Sequence, residues 1–116
     1  MADATSFAYE DLRTYIVNNW NYVELRDSLG NPALRISTSD TRVSWTHEPN
    51  SQTLELTIVI QGSNSDISLP QEFGQSAIYK TVAGGSPVSV ENFPNFTMEG
   101  VGDQLTVKHR IEVPRI

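Results

Sequence analysis

Three observations predict an α+β fold: an antiparallel β-sheet or small β-sandwich of about six to seven strands with one N-terminal helix. In Thr53–Gly62, Leu54, Leu56, Ile58 and Ile60 recur at period two, with Glu55, Thr57, Val59 and Gln61 between them. Such a strand packs on a core along one side and meets water along the other. Gln104–Val113 repeats the pattern, turning Leu105, Val107, His109, Ile111 and Val113 inward and Thr106, Lys108, Arg110 and Glu112 outward. Helical spacing opens the chain, and strand-length runs joined by hairpin-length turns follow it.

Residues 1–5 read as a polar arm and residues 6–19 as the helix. Thr5 or Ser6 can cap it, and Glu10 and Asp11 are expected in its first turn, where the helix dipole favours anions. Ala8, Leu12, Tyr15 and Ile16 form an apolar stripe, and Asn18-Asn19 is the stop. A helix of roughly three turns needs a sheet to dock on.

Residues 20–116 are predicted to be mainly antiparallel β. Trp20–Asp27 sets Val23 and Leu25 opposite Tyr22, Glu24 and Arg26, and a turn over 27–32 returns the chain as the strand Ala33–Thr38. Arg42–Glu48, with Val43, Trp45 and His47 on one side, forms a second hairpin with Thr53–Gly62. Residues 67–95 form an irregular segment. Within it, Pro70–Tyr79 is a helix candidate weakened by Gly74, Val88–Val90 a short edge strand, and Phe93-Pro94-Asn95 fits neither state. Gly100–Asp103 is a turn, and Pro114 closes the last strand.

A chain of 116 residues forms one domain, but a hydrophobic content of 38% is lean and suggests stability drawn from neighbouring subunits. The net charge of −6 argues against a nucleic-acid footprint and against anionic membranes. With no cysteine, disulfides and thiolate chemistry are excluded. Neither a signal peptide nor a membrane-spanning run is expected, which points to synthesis in the cytoplasm.

Candidate chemistry is sparse. His47 and His109 lack a ligand spacing, so a histidine satisfied at a core edge outweighs a metal ligand. No Gly-x-Ser-x-Gly occurs, and Gly100-Val101-Gly102-Asp103 lacks the lysine and helix of a phosphate loop. The polar loops do not match a calcium loop. The chain is therefore expected to be no enzyme, with no cofactor and no metal. The candidates for an interaction surface are Trp20, a core or rim residue first, the cluster Phe93, Phe96 and Met98, for which plugging an open end of the sheet is the favoured alternative, and the tail residues Arg115 and Ile116.

An acidic helix such as Tyr9-Glu10-Asp11-Leu12-Arg13-Thr14-Tyr15-Ile16, a meander of hairpins and the closing strand Leu105–Val113 together resemble small virion proteins of tailed bacteriophages. Tail-terminator, neck and minor tail components share this size, acidity and lack of cysteine. The resemblance implies a non-catalytic structural subunit of a ring or tube, made in the host cytoplasm, residing in the virion and acting through flat contacts with itself and other virion proteins. The departure is the second helix usual in tail terminators, which only residues 70–80 could supply. A capsid decoration protein is the nearest alternative. A β-rich carbohydrate-binding module, stacking sugars on Trp20, Trp45 or the Phe93–Phe96 loop, is another.

Overall fold

Helix α1 spans Ser6–Asn19 in the computed structural model, which describes residues 5–48 and 51–112. Thr5 is the N-cap, its hydroxyl accepting from the Ala8 N–H at 3.3 Å. Of the arm expected over residues 1–5, only Thr5 lies within the described residues. Glu10 and Asp11 fall beyond the first turn, so they do not complement the dipole as anticipated.

The buried stripe of α1 is also rotated from the expected one. Arg13 and Ile16 are buried, Tyr9 and Trp20 are partly buried against the core, and Ala8, Leu12 and Tyr15 are exposed. Only Ile16 is common to both stripes. Hydropathy counts an arginine as polar, whereas its methylene stem packs as apolar surface, so Tyr9, Arg13, Ile16 and Trp20 form one docking face.

Seven strands follow: β1 (Tyr22–Arg26), β2 (Pro32–Ser37), β3 (Val43–Trp45), β4 (Thr53–Gln61), β5 (Gln71–Tyr79), β6 (Ser89–Met98) and β7 (Gln104–Glu112). They form two sheets, ordered β2-β1-β5-β6 and β3-β4-β7, with every pairing antiparallel. Both predicted hairpins are present, β1 with β2 and β3 with β4. The two amphipathic strands are neighbours: β4 pairs with β7 from Thr53↔Glu112 to Gln61↔Gln104. The result is an α+β small sandwich.

The core lies between the sheets. Leu54, Leu56, Ile58 and Ile60 come from β4 and meet Val23, Leu25, Phe73, Ile78 and Met98 from the four-stranded sheet, all at 0% exposure. At about 25 cal/mol per Å² of buried apolar area, this layer supplies most of the driving force for folding.

The segment expected to be irregular, 67–95, is the main correction. It contains β5 where the helix candidate stood, and most of β6, an edge strand far longer than Val88–Val90. β5 lies between β1 and β6 and is buried on both sides, with Phe73, Ser76 and Ile78 toward the other sheet and Ala77 and Tyr79 away from it. Burial on both faces erases alternation. Gly74 sits at a bulge: Phe73 pairs with Phe96 but Gln75 with Asn92, so Phe93, Pro94 and Asn95 oppose a single residue. A Cβ on Gly74 would lie 2.6 Å from Asn95 Oδ1 and 3.0 Å from Ser28 Cα. Proline is tolerated there because β6 is an edge. β3 is shorter than Arg42–Glu48, although the Thr46 N–H still reaches the Glu55 carbonyl at 2.8 Å.

Candidate functional site

Of the residues expected on an interaction surface, Trp20, Phe93 and Phe96 are partly buried against the core. Met98, at 0% exposure, belongs to the core itself and is not available for contacts. It shares the inward face of β6 with Phe96, while Thr97 between them is exposed. Arg115 and Ile116 lie outside the described residues. Trp45 is partly buried and meets His47 edge-on, with ring centroids 5.9 Å apart. The aromatic cluster therefore packs the sandwich rather than forming a free patch.

His109 is fully buried rather than placed at a core edge. Its Nδ1 is 2.7 Å from the Ser76 hydroxyl on β5 and its Nε2 is 2.8 Å from the Ser89 hydroxyl on β6, so one side chain of β7 spans to both strands of the facing sheet. Burial pushes its pKa down to about 4, keeping the ring neutral at physiological pH. A neutral imidazole has one donor and one acceptor, so one serine accepts and the other donates. Both nitrogens are occupied and no substrate reaches them, which makes the trio a polar tie between sheets.

The outer face of the four-stranded sheet holds a second polar group. Glu24 on β1, only 5% exposed, accepts from Arg26 Nε at 2.8 Å and from Arg35 Nη2 at 3.3 Å. Arg35 lies 3.5 Å over the Tyr79 ring, and Arg26 hydrogen-bonds the Tyr79 hydroxyl. Burial works to raise the Glu24 pKa, but hydrogen bonding from Arg26 and the charge of Arg35 hold it below the ordinary value. Arg35 also donates to the carbonyls of Thr81 and Gly84 at 3.2 and 2.9 Å, pinning the loop after β5 across β2. Every charge in this group has a partner, as a buried charge requires.

The sandwich has unlike flanks. On one, the edges are β3, with 3 residues, and β2, over which the 81–84 loop is tied. On the other are β6, with 10 residues, and β7, with 9, neither with a further strand beside it among the described residues. The outer side of that flank exposes Val88, Val90 and Val101.

Helix α1 is unlike the rest of the surface. Its outward face presents Phe7 at 78%, Leu12 at 43% and Tyr15 at 46% exposure. Its inward face buries the Arg13 guanidinium, whose Nη1 has no hydrogen-bond partner among the described residues. An unsatisfied buried donor costs about 1–3 kcal/mol, and more when charged. No sequence signal marks this, because an arginine among acidic residues reads as a solvated side chain.

A cleft of about 420 Å³ lies on the outer side of the three-stranded sheet, lined by Thr46, His47, Glu48, Thr53, Glu55 and Arg110 among others. Glu55 there is 3.3 Å from Arg110 and 2.8 Å from the Thr46 hydroxyl. Among the described residues, no group of three or more histidine, aspartate or glutamate side chains is placed to hold a metal ion. Nor is any helix among them long and apolar enough to cross a membrane.

Fold and surface together define a small antiparallel sandwich with one appended helix and one open flank. No protein-family model, no curated protein and no solved structure matches the chain.

Proposed function

We propose that this chain is a non-catalytic structural subunit of a phage particle, in the tail or neck, working through contacts with further copies of itself and with other virion proteins. The observation that carries the reading is the open flank, where the 9-residue β7 and the 10-residue β6, itself interrupted by the bulge at Phe93, Pro94 and Asn95, both end their sheets. Long unpaired edges invite pairing with another chain, and soluble monomers ordinarily shorten or cover them. The opposite flank ends on the 3-residue β3 and on β2, whose Arg35 ties the 81–84 loop, as in a subunit with one committed assembly side. The lean composition and the phage-like layout of helix, hairpins and closing strand agree with it. With β5 standing where a tail terminator carries its second helix, a neck or minor tail position fits better than the terminator itself.

Light scattering at rising concentration, with negative-stain imaging, tests the proposal. Discrete rings or tubes are expected. Val90→Lys, at a position 47% exposed on β6, should weaken assembly about tenfold without changing the fold. A strict monomer that decorates no phage particle would overturn the reading.

The cleft lined by His47, Glu48, Glu55 and Arg110, with Trp45 meeting His47 edge-on but not lining it, favours a second reading, a module for a small polar ligand such as a carbohydrate. Glycan-array binding that is lost in Trp45→Ala would support it, and an array without binding would remove it.

A further inference from the structure

We infer that α1 is the element that docks a second copy of this chain, with Arg13 taking a carboxylate from that copy; the inference rests on the assembly reading and names a contact within it. Two independent features of the helix point there. Its outward face leaves an apolar strip, Phe7 and Leu12, in water with no described residue covering it, beside Tyr15, whose hydroxyl accepts from Lys80 Nζ at 3.0 Å. Its inward face holds a guanidinium, 8% exposed, with a buried Nη1 that bonds to nothing among the described residues.

Charge complementarity identifies the occupant. A buried guanidinium calls for a carboxylate, the acceptor whose two oxygens match its planar fork. The chain carries 14 acidic against 8 basic residues. Its buried Glu24 is already held by Arg26 and Arg35, and Asp40 and Asp66 both bind Arg42. Among the described residues Glu48, Glu91, Glu99 and Glu112 make no ion pair, and neither does Arg13, so a neighbouring copy offers surplus carboxylates to this cation. The rotatable stem of arginine lets the head swing from beneath α1 to the helix flank as the neighbour arrives. The apolar strip would then bury against the same neighbour.

The test measures association by sedimentation equilibrium, at low and high salt, for the full chain, for Arg13→Met and for the double variant Phe7→Ser with Leu12→Ser. Arg13→Met keeps the stem's volume and removes the charge. The double variant changes only exposed positions, so its fold is preserved. Both are expected to weaken association about tenfold or more, and Arg13→Met should also flatten its salt dependence. Urea denaturation of dilute Arg13→Met should show a monomer at least as stable as the parent. Parent-like association in both variants, alongside a defective Val90→Lys, would overturn the role of α1 while leaving the assembly reading intact. A strictly monomeric parent would overturn both.

Discussion

The His109 imidazole on β7 and the Ser76 hydroxyl on β5 meet 2.7 Å apart inside the sandwich, joining two sheets that share no backbone hydrogen-bond ladder. Ser89 completes the tie from β6 at 2.8 Å. The neighbouring core is aliphatic: Leu56, the β4 partner of His109, is itself at 0% exposure. A satisfied polar group in such a place fixes how the sheets register on one another.

This tie sets a pH dependence. The folded-state pKa of His109 is depressed from 6.5 to about 4, so between those values the unfolded chain binds the extra proton. Its contribution is complete above pH 6.5 and is lost as pH falls toward 4. At about 1.4 kcal/mol per unit, the loss reaches about 3 kcal/mol. Urea unfolding followed through this range should show the decline, and His109→Gln should remove most of it. An unchanged slope in that variant would assign the acid sensitivity to the carboxylates instead.

Glu24 makes a different prediction. Replacing it with alanine leaves Arg26 and Arg35 facing each other without their shared anion, a loss of about 3 kcal/mol. Glu24→Gln keeps hydrogen bonding but not charge and should fall between. Because Arg35 ties down Thr81 and Gly84, hydrogen exchange in the 81–84 loop should rise in Glu24→Ala as well.

Gly62 and Gly102 offer a paired test at one turn. A Cβ on Gly62 would lie 2.0 Å from the Gly100 carbonyl oxygen, a backbone atom that cannot move without breaking the Gly62 N–H bond to the Asp103 carbonyl at 2.8 Å. Gly62→Ala should cost about 3 kcal/mol or more in thermal unfolding. Gly102→Ala meets nothing within 4 Å and should change stability by less than about 0.5 kcal/mol. Equal losses in the two would mean that chain flexibility, rather than close approach, is what Gly62 supplies.

How much of this was legible in the sequence differs by element. β4 and β7 were plain because each has one wet face, but matching patterns left them as either sheet neighbours or facing strands, and the structure makes them neighbours. Both hairpins could be read from their turn residues. β5 was not legible, because a strand covered on both sides loses its alternation and Gly74 then looks like a helix breaker rather than a bulge. Met98 looked like part of a surface cluster because the three-residue bulge before it shifts which side chains of β6 point inward. On α1, the expected stripe missed Tyr9 and Arg13 for want of any hydropathy signal in an arginine stem.

By itself the sequence determined the class of this protein: antiparallel strands behind one helix, acidic, without cysteine, with two amphipathic strands as its scaffold. Periodicity carries that much because it records, residue by residue, which side of an element meets water. The tertiary structure alone decided that His109 ties the sheets together, that Glu24 gathers two arginines and that, among the described residues, one flank is open and the buried Arg13 Nη1 has no hydrogen-bond partner. Each of these depends on what comes close from a distant part of the chain. A linear pattern of polar and apolar residues states a preference for water or core, but not the partner found there.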